Sequence, residues 1–188
     1  RHWGGPNRAY FNNGKGEFSQ MIQFGTGKDR SYAARALDYN GDGLVDIAVA
    51  NDRQQSRVYL KKAKGNYLSG PAIGPKSQNT RNLSIADMDG DKRPDILIAN
   101  WRAANFIYYN SGKGDRVEGR VLGSGVDSTI CIAVADLNGD GKPDAVLANR
   151  DGQPNEIYLN EGDKKIGKSI PYGTGKDNPI RCHRGYEW

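Results

Sequence analysis

Asp38-Tyr39-Asn40-Gly41-Asp42-Gly43-Leu44-Val45-Asp46 recurs twice more in this chain without gaps. The copies are Asp87-Met88-Asp89-Gly90-Asp91-Lys92-Arg93-Pro94-Asp95 and Asp136-Leu137-Asn138-Gly139-Asp140-Gly141-Lys142-Pro143-Asp144, and the interval is 49 residues both times. Self-similarity at a fixed period of this size marks an array of like units. The residues after each loop repeat as well: Ile47-Ala-Val-Ala-Asn51, Ile96-Leu-Ile-Ala-Asn100 and Ala145-Val-Leu-Ala-Asn149. Each is a short apolar run, β-branched in part and ended by Asn, which predicts a buried strand stopped by a turn residue. A further element alternates with period two around a fixed Tyr: Arg8-Ala-Tyr-Phe-Asn12, Arg57-Val-Tyr-Leu-Lys61, Phe106-Ile-Tyr-Tyr-Asn110 and Glu156-Ile-Tyr-Leu-Asn160. Turn sequences such as Asn13-Gly-Lys-Gly16 follow it, and Gly25, Gly74, Gly123 and Gly173 mark one more shared turn.

Each unit therefore reads as strand, Asp loop, strand, turn, strand, glycine turn and a weaker fourth strand. A four-stranded unit of about 40–50 residues, repeated, predicts an all-β fold of the β-propeller type; a stacked β-solenoid has shorter repeats. The chain holds about four blade equivalents: a partial blade over 1–35, repeats over 36–84 and 85–133, and a repeat plus terminal strand over 134–188. At Asn178-Pro-Ile-Arg-Cys-His-Arg-Gly185 the next first strand is due, but Tyr186-Glu-Trp188 stands where a fourth Asp loop would begin. Three arrangements fit: a small propeller closed by a composite blade, a fragment of a larger one, or edges that pair with other copies. The start at Arg1 rather than Met is what a processed chain, or a piece of a longer one, would show.

The Asp loops carry the chemistry. A hard divalent cation of calcium's size takes six to eight oxygens, several of them carboxylates, on a loop that curls around it. Side chains at positions 1, 3 and 5 point to one side of a tight turn, a carbonyl at position 7 adds an oxygen, and an acid at position 9 closes the shell. The expected ligands are Asp38, Asn40, Asp42, the Leu44 carbonyl and Asp46 in the first loop. In the second they are Asp87, Asp89, Asp91, the Arg93 carbonyl and Asp95; in the third, Asp136, Asn138, Asp140, the Lys142 carbonyl and Asp144. Asp-Asn-Gly clusters also make good turns. Three copies in one register go further, because like charges so crowded repel unless a cation sits among them. An EF-hand has twelve positions between helices, and magnesium prefers few protein ligands, so calcium at about three sites is the expectation. The second loop has Lys92 where the others have Gly43 and Gly141, which predicts a side-chain-bearing residue in left-handed backbone.

The pattern Asp-x-Asp/Asn-x-Asp-Gly-x-x-Asp, with the Asn-x-x-Tyr-x-Asn-x-Gly segment, resembles the FG-GAP/VCBS repeat family, which includes integrin α-chain propellers and some fungal and bacterial lectins. The resemblance covers nearly the whole chain. It implies calcium at the positions just named, a structural role for that calcium, and usually a seven-bladed ring.

The three loops hold ten of the 22 acids, leaving 12 acids against 27 Lys and Arg, a balance of +15 outside them. Three calcium ions would raise the formal net charge from +5 to +11. Lysines such as Lys61, Lys62, Lys64, Lys164, Lys165 and Lys168 are expected on a basic surface away from the loops. Such a surface suits a polyanionic glycan or an acidic membrane face, and scattered lysines on turns also serve simply to keep a repeat protein soluble. No nucleic-acid reader motif is present, and nucleic acid is not an expected partner. No apolar run approaches the length of a transmembrane helix, and no stretch reads as a signal peptide. Calcium loops point to an extracellular, secreted or cell-surface setting.

Trp3 and Trp101 fall at equivalent repeat positions, with Asp52 and Arg150 at the other two. With Arg102 beside it, such a Trp can stack on a sugar ring or pack between neighbouring units. The leading expectation is a calcium-stabilised binding or adhesion module for carbohydrate or an extracellular protein partner. A structural subunit polymerising through incomplete terminal blades is one alternative; a polysaccharide lyase or hydrolase is another. No catalytic constellation supports an enzyme: the two histidines are His2 and His183, and Cys182-His183-Arg184 is the one unrepeated grouping. Cys131 and Cys182 bridge or stay free with equal ease as far as sequence shows. The acceptor sequence Asn82-Leu-Ser84 lies on an expected strand, where it would go unused.

Overall fold

The structure, a computed structural model, describes residues 2–112 and 119–176, apart from the side chains of His2 and Trp3. Expectations for the Trp3 side chain, for Cys182-His183-Arg184 and for the terminal strand at 178–185 lie outside the described residues. The described residues form eleven strands and no helix. They run β1 (His2–Phe11), β2 (Gln20–Leu37), β3 (Asp46–Lys61), β4 (Tyr67–Ala86), β5 (Asp95–Asn100) and β6 (Asn105–Tyr108). They continue with β7 (Gly119–Leu122), β8 (Thr129–Ala135), β9 (Asp144–Asn149), β10 (Asn155–Gly162) and β11 (Lys165–Tyr172).

Among the described residues all strand pairing is antiparallel and between sequence neighbours. A seven-stranded sheet runs β1 to β7 in order, and a four-stranded sheet runs β8 to β11. The larger sheet is built from blades. Strand β2 pairs with β1 through its first half and with β3 from Ser31 to Leu37. Strand β3 pairs with β2 through Asp46–Asn51 and with β4 from Asp52 onward; β4 then passes to β5 at Thr80. A two-stranded piece is thus followed by a first blade (31–37, 46–51, 56–61, 67–73), a second (80–86, β5, β6, β7) and a third (β8 to β11). The sequence suggests short strands, yet β2, β3 and β4 span 18, 16 and 20 residues, because each turns a corner while keeping its ladder. Glycines make two of those corners. Gly25 and Gly74 have φ of 90° and 70°, and a Cβ on Gly25 would lie 2.1 Å from Asp29 Oδ2. The Asp29 side chain, accepting from Thr26, fills the space a side chain at residue 25 would need.

The core lies between blades. Leu37, Ala48, Ala50, Val58 and Ile73 of the first blade meet Leu83, Ile96, Ile98 and Tyr108 of the second. Met88, Leu97, Ala99, Ile107 and Leu122 of the second meet Ile132, Ala145, Leu147 and Tyr158 of the third. Strand β5 shows the logic best: Ile96 and Ile98 face one neighbour, Leu97 and Ala99 the other, and all six of its residues are buried. A strand covered on both faces reads as an unbroken apolar run rather than an alternating one. Phe24, Val49 and Tyr59 form a smaller cluster where the two-stranded piece packs on the first blade. This is the face-to-face packing of propeller blades.

Each Asn at the end of the second strand closes the turn to the third. Asn51, Asn100 and Asn149 donate from Nδ2 to the carbonyls of Gln55, Ala104 and Pro154. Their own amides donate to Ser56 Oγ, Asn105 Oδ1 and Asn155 Oδ1. Asn82 is buried within β4, as expected for an acceptor sequence on a strand. Cys131 is disulfide-bonded, and Cys182 lies outside the described residues.

Candidate functional site

The three Asp loops join the first strand of each blade to its second, so they share one end of the array. Within each loop the first Asp organises the backbone. Asp38 Oδ1 accepts from the amides of Gly41 (2.9 Å) and Asp42 (3.2 Å), and Oδ2 from Gly43 (2.9 Å). Asp87 does the same with Gly90, Asp91 and Lys92, and Asp136 with Gly139, Asp140 and Gly141. The fifth-position acids Asp42, Asp91 and Asp140 accept from the amides of Leu44, Arg93 and Lys142. Lys92 has φ 67°, beside 79° for Gly43 and 82° for Gly141, so the second loop keeps the left-handed turn with a side chain in it.

The ninth-position acids are different in kind. Asp46, Asp95 and Asp144 are wholly buried. Each accepts from the second residue of its loop (Tyr39, Met88, Leu137) at 2.8–3.0 Å. Each also accepts, at 2.8 Å, from the amide at one repeated place near the end of the third strand, which is Lys61, Asn110 or Asn160. Burial raises the Asp46 carboxyl and pushes Asp95 up to about 6, against the pull of the amides they accept from. These acids are therefore clamps between loop and strand as well as potential ligands.

The third position separates the loops. Asn40 and Asn138 donate to Asp42 and Asp140 at 2.9 and 3.2 Å, and in the second loop the same position is Asp89. Oxygens of Asp87, Asp89 and Asp95 lie within 4.8 Å of one another, the one such group of three acids among the described residues. The Tyr109 hydroxyl, raised by burial and exposed to the charges of Arg120, Asp95 and Asp89, is buried without a hydrogen-bond partner. An all-oxygen donor set with converging carboxylates suits a hard divalent cation. The first and third loops offer the same set with one amide oxygen in place of a carboxylate.

Cations from the chain itself already approach these acids. Arg93 pairs with Asp91, Lys142 Nζ lies 3.0 Å from Asp140, and Lys164 Nζ lies 3.0 Å from Asp89. The basic turns are thus not remote from the loops. In a meander the turn from third to fourth strand falls at the same end as the loop from first to second, which brings Lys62 near Asp42 and Lys164 onto Asp89. Clefts lie between successive loops. One of about 450 Å³ is bordered by Asp38, Asp87, Lys92 and Arg93; one of about 540 Å³ by Asp87, Asp89, Lys142, Asn160 and Asp163.

Sequence reading missed the links that cross between blades. Asn110 Nδ2 donates to the Tyr39 carbonyl at 2.8 Å, and Asn160 Nδ2 to the Met88 carbonyl at 2.9 Å. Each third-strand Asn thus holds its own blade's ninth-position acid by its amide and the preceding blade's loop by its side chain. The signal was present: Asn110 and Asn160 repeat, while Lys61 stands at that place in the first blade.

Trp101 and Arg102 lie at the opposite end of the strands. The indole Nε1 donates to Asp151 Oδ2 at 3.0 Å, and the Arg102 guanidinium reaches the same oxygen at 3.2 Å. Arg81 and Arg102 lie over the Trp101 ring at 5.2 and 4.7 Å. Ser128 of the third blade also donates to Asp151. At the equivalent position Asp52 is buried between Arg81 (2.6 Å) and Arg30 (3.6 Å). This row of side chains joins neighbouring blades.

A known structure shares the architecture. An Agrocybe aegerita lectin, solved for its specific recognition of non-reducing terminal N-acetylglucosamine, matches with TM-score 0.53 and 20% identity over 86% of this chain and 46% of its own. BBS1N, from a complex with ARL6DN soaked with lead, matches with TM-score 0.49 and 13% identity over 78% of this chain and 47% of its own. The chain thus spans about half the length of these proteins. No curated protein matches it. The FG-GAP-like repeat matches three times, at residues 2–49, 38–98 and 87–147. With an Asp loop in each of these windows, which together run from residue 2 to 147, the chain belongs to the FG-GAP-like repeat family.

Proposed function

We propose that this chain is a calcium-stabilised β-propeller module, secreted or exposed at a cell surface, that recognises carbohydrate. The observation that carries the calcium reading is the convergence of Asp87, Asp89 and Asp95 oxygens within 4.8 Å on a loop already curled by amides around its first carboxylate. Asp87, Asp89, Asp91, the Arg93 carbonyl and Asp95 would hold the ion there. Asp38, Asn40, Asp42, the Leu44 carbonyl and Asp46 would do so in the first loop, and Asp136, Asn138, Asp140, the Lys142 carbonyl and Asp144 in the third. When bound, the ion supplies charge neutralisation for acids that otherwise repel. The chain does the rest: Asp46, Asp95 and Asp144 carry any stiffening of the loop to the third strand, and Asn110 and Asn160 carry it to the preceding blade.

Carbohydrate as ligand is supported by likeness of fold to the Agrocybe aegerita lectin and by the repetition of units, which lets several weak sites act together. Trp3, Trp101 and Arg102 are the candidate contacts, at the end away from the Asp loops. A glycan array probed with and without chelator tests the reading. Glycan binding that weakens in chelator supports it; a chain that binds no glycan in calcium contradicts the carbohydrate part.

A further inference from the structure

The second loop is the one with an extra acid, and it is also the one that receives a lysine from another blade. Lys164 sits in the tight turn between β10 and β11, in left-handed backbone like Asp163 before it (φ 61° and 51°). Its ammonium lies 3.0 Å from Asp89 Oδ2 and 4.9 Å from the centre of the Tyr109 ring, both in the second blade. Its carbonyl accepts from the Arg120 guanidinium, also in the second blade. The Asp89 side chain is only 6% exposed and that of Lys164 51%, so water reaches the lysine but screens the carboxylate poorly. In the third loop the corresponding lysine contact is local, from Lys142 to Asp140, with both side chains at least a third exposed. Lys164 therefore reaches across a blade boundary and lays a positive charge on a carboxylate of the closest acidic group in the described residues.

We propose that Lys164 is a tethered cation that competes with calcium for Asp89, so that calcium binding at the second loop is coupled to undocking of the third blade's β10–β11 turn. The proposal rests on the calcium reading of the loops. Calcium among Asp87, Asp89 and Asp95 would stand a few ångströms from the ammonium, and like charges that close repel even where water reaches one of them. Coupling between two bound species is reciprocal: whatever Lys164 takes from calcium affinity, calcium takes from the Lys164 contact. Without calcium, Lys164 balances the loop and holds blade to blade. With calcium, the charge is met by the metal and the turn is released. The first and third loops, with Asn40 and Asn138 at this position, lack the coupling.

Calorimetric titration of the chelator-stripped chain with calcium chloride tests this on wild type, Lys164→Met, Lys164→Gln and Asp89→Asn. The two neutral replacements should each tighten one site about fivefold to tenfold, leaving the others unmoved. Asp89→Asn should weaken or abolish that same site. Hydrogen exchange of the 162–165 amides should quicken in wild type when calcium is added. Unchanged calcium affinities in both Lys164 variants overturn the competition while leaving the calcium loops standing. No calcium binding by wild type or variants overturns the loop reading, and the competition with it.

Discussion

Asn110 and Asn160 show how one side chain type can serve two blades. Each amide bonds a buried acid of its own blade, and each side-chain NH2 bonds a carbonyl of the preceding Asp loop. Truncating Asn110 to Ala strands the buried Tyr39 carbonyl, which should lower unfolding free energy by about 1–3 kcal/mol. Urea unfolding measures it, and Asn160→Ala should behave alike. At the other end, Asp151 is held below the usual 3.8, first by the Trp101 indole and then by Ser128 and Arg102. A depressed carboxylate contributes stability that is present above its unfolded pKa and is lost as pH falls through the folded one. Trp101→Phe removes the main donor, so the Asp151 midpoint followed by carboxyl NMR should climb back toward 3.8. The repeat made the loop acids readable, since residue type and register sufficed. The Asn links needed the third dimension, because nothing in a sequence says which carbonyl of a preceding unit an amide will reach.

Among the elements, the Asp loop and the strand after it were almost fully readable. The buried run Ile96-Leu-Ile-Ala-Asn100 and its copies could only be central strands, and they are. Lys92 was readable too: a Gly position filled by Lys must take the same left-handed turn, and it does at φ 67°. Lys92→Gly should therefore stabilise the chain by about 0.5–1 kcal/mol, the relief of a left-handed residue less the added freedom of the unfolded chain. Comparing denaturation midpoints of wild type and variant checks it. The corners were not readable. Whether β4 breaks or bends at Gly74 depends on how Gln78 and Tyr108 pack around that glycine, and pattern alone carries no such information. The lysine turns were misplaced for a related reason: charge counting ignores which end of a blade a turn occupies.

At the scale of the molecule, stability comes from apolar faces between blades and from polar clamps at both ends of them. The apolar layers could be inferred from period and run length. The clamps at the Asp-loop end leave buried or crowded carboxylates, with Asp95 pushed up to about 6 by burial. That is the condition under which a bound cation does most for the fold. Loop, third strand and preceding blade are linked in series through Asp46, Asp95 and Asp144 and through Asn110 and Asn160, so ion binding at a loop should be felt by the whole array. Thermal melting of the chain in chelator and in millimolar calcium tests this most directly. A ligand bound only by the native state at about 100 times its Kd adds about 2.7 kcal/mol per site. One cooperative transition should move several degrees higher in calcium; superimposable melting curves in calcium and chelator would contradict the coupling of ion binding to the fold.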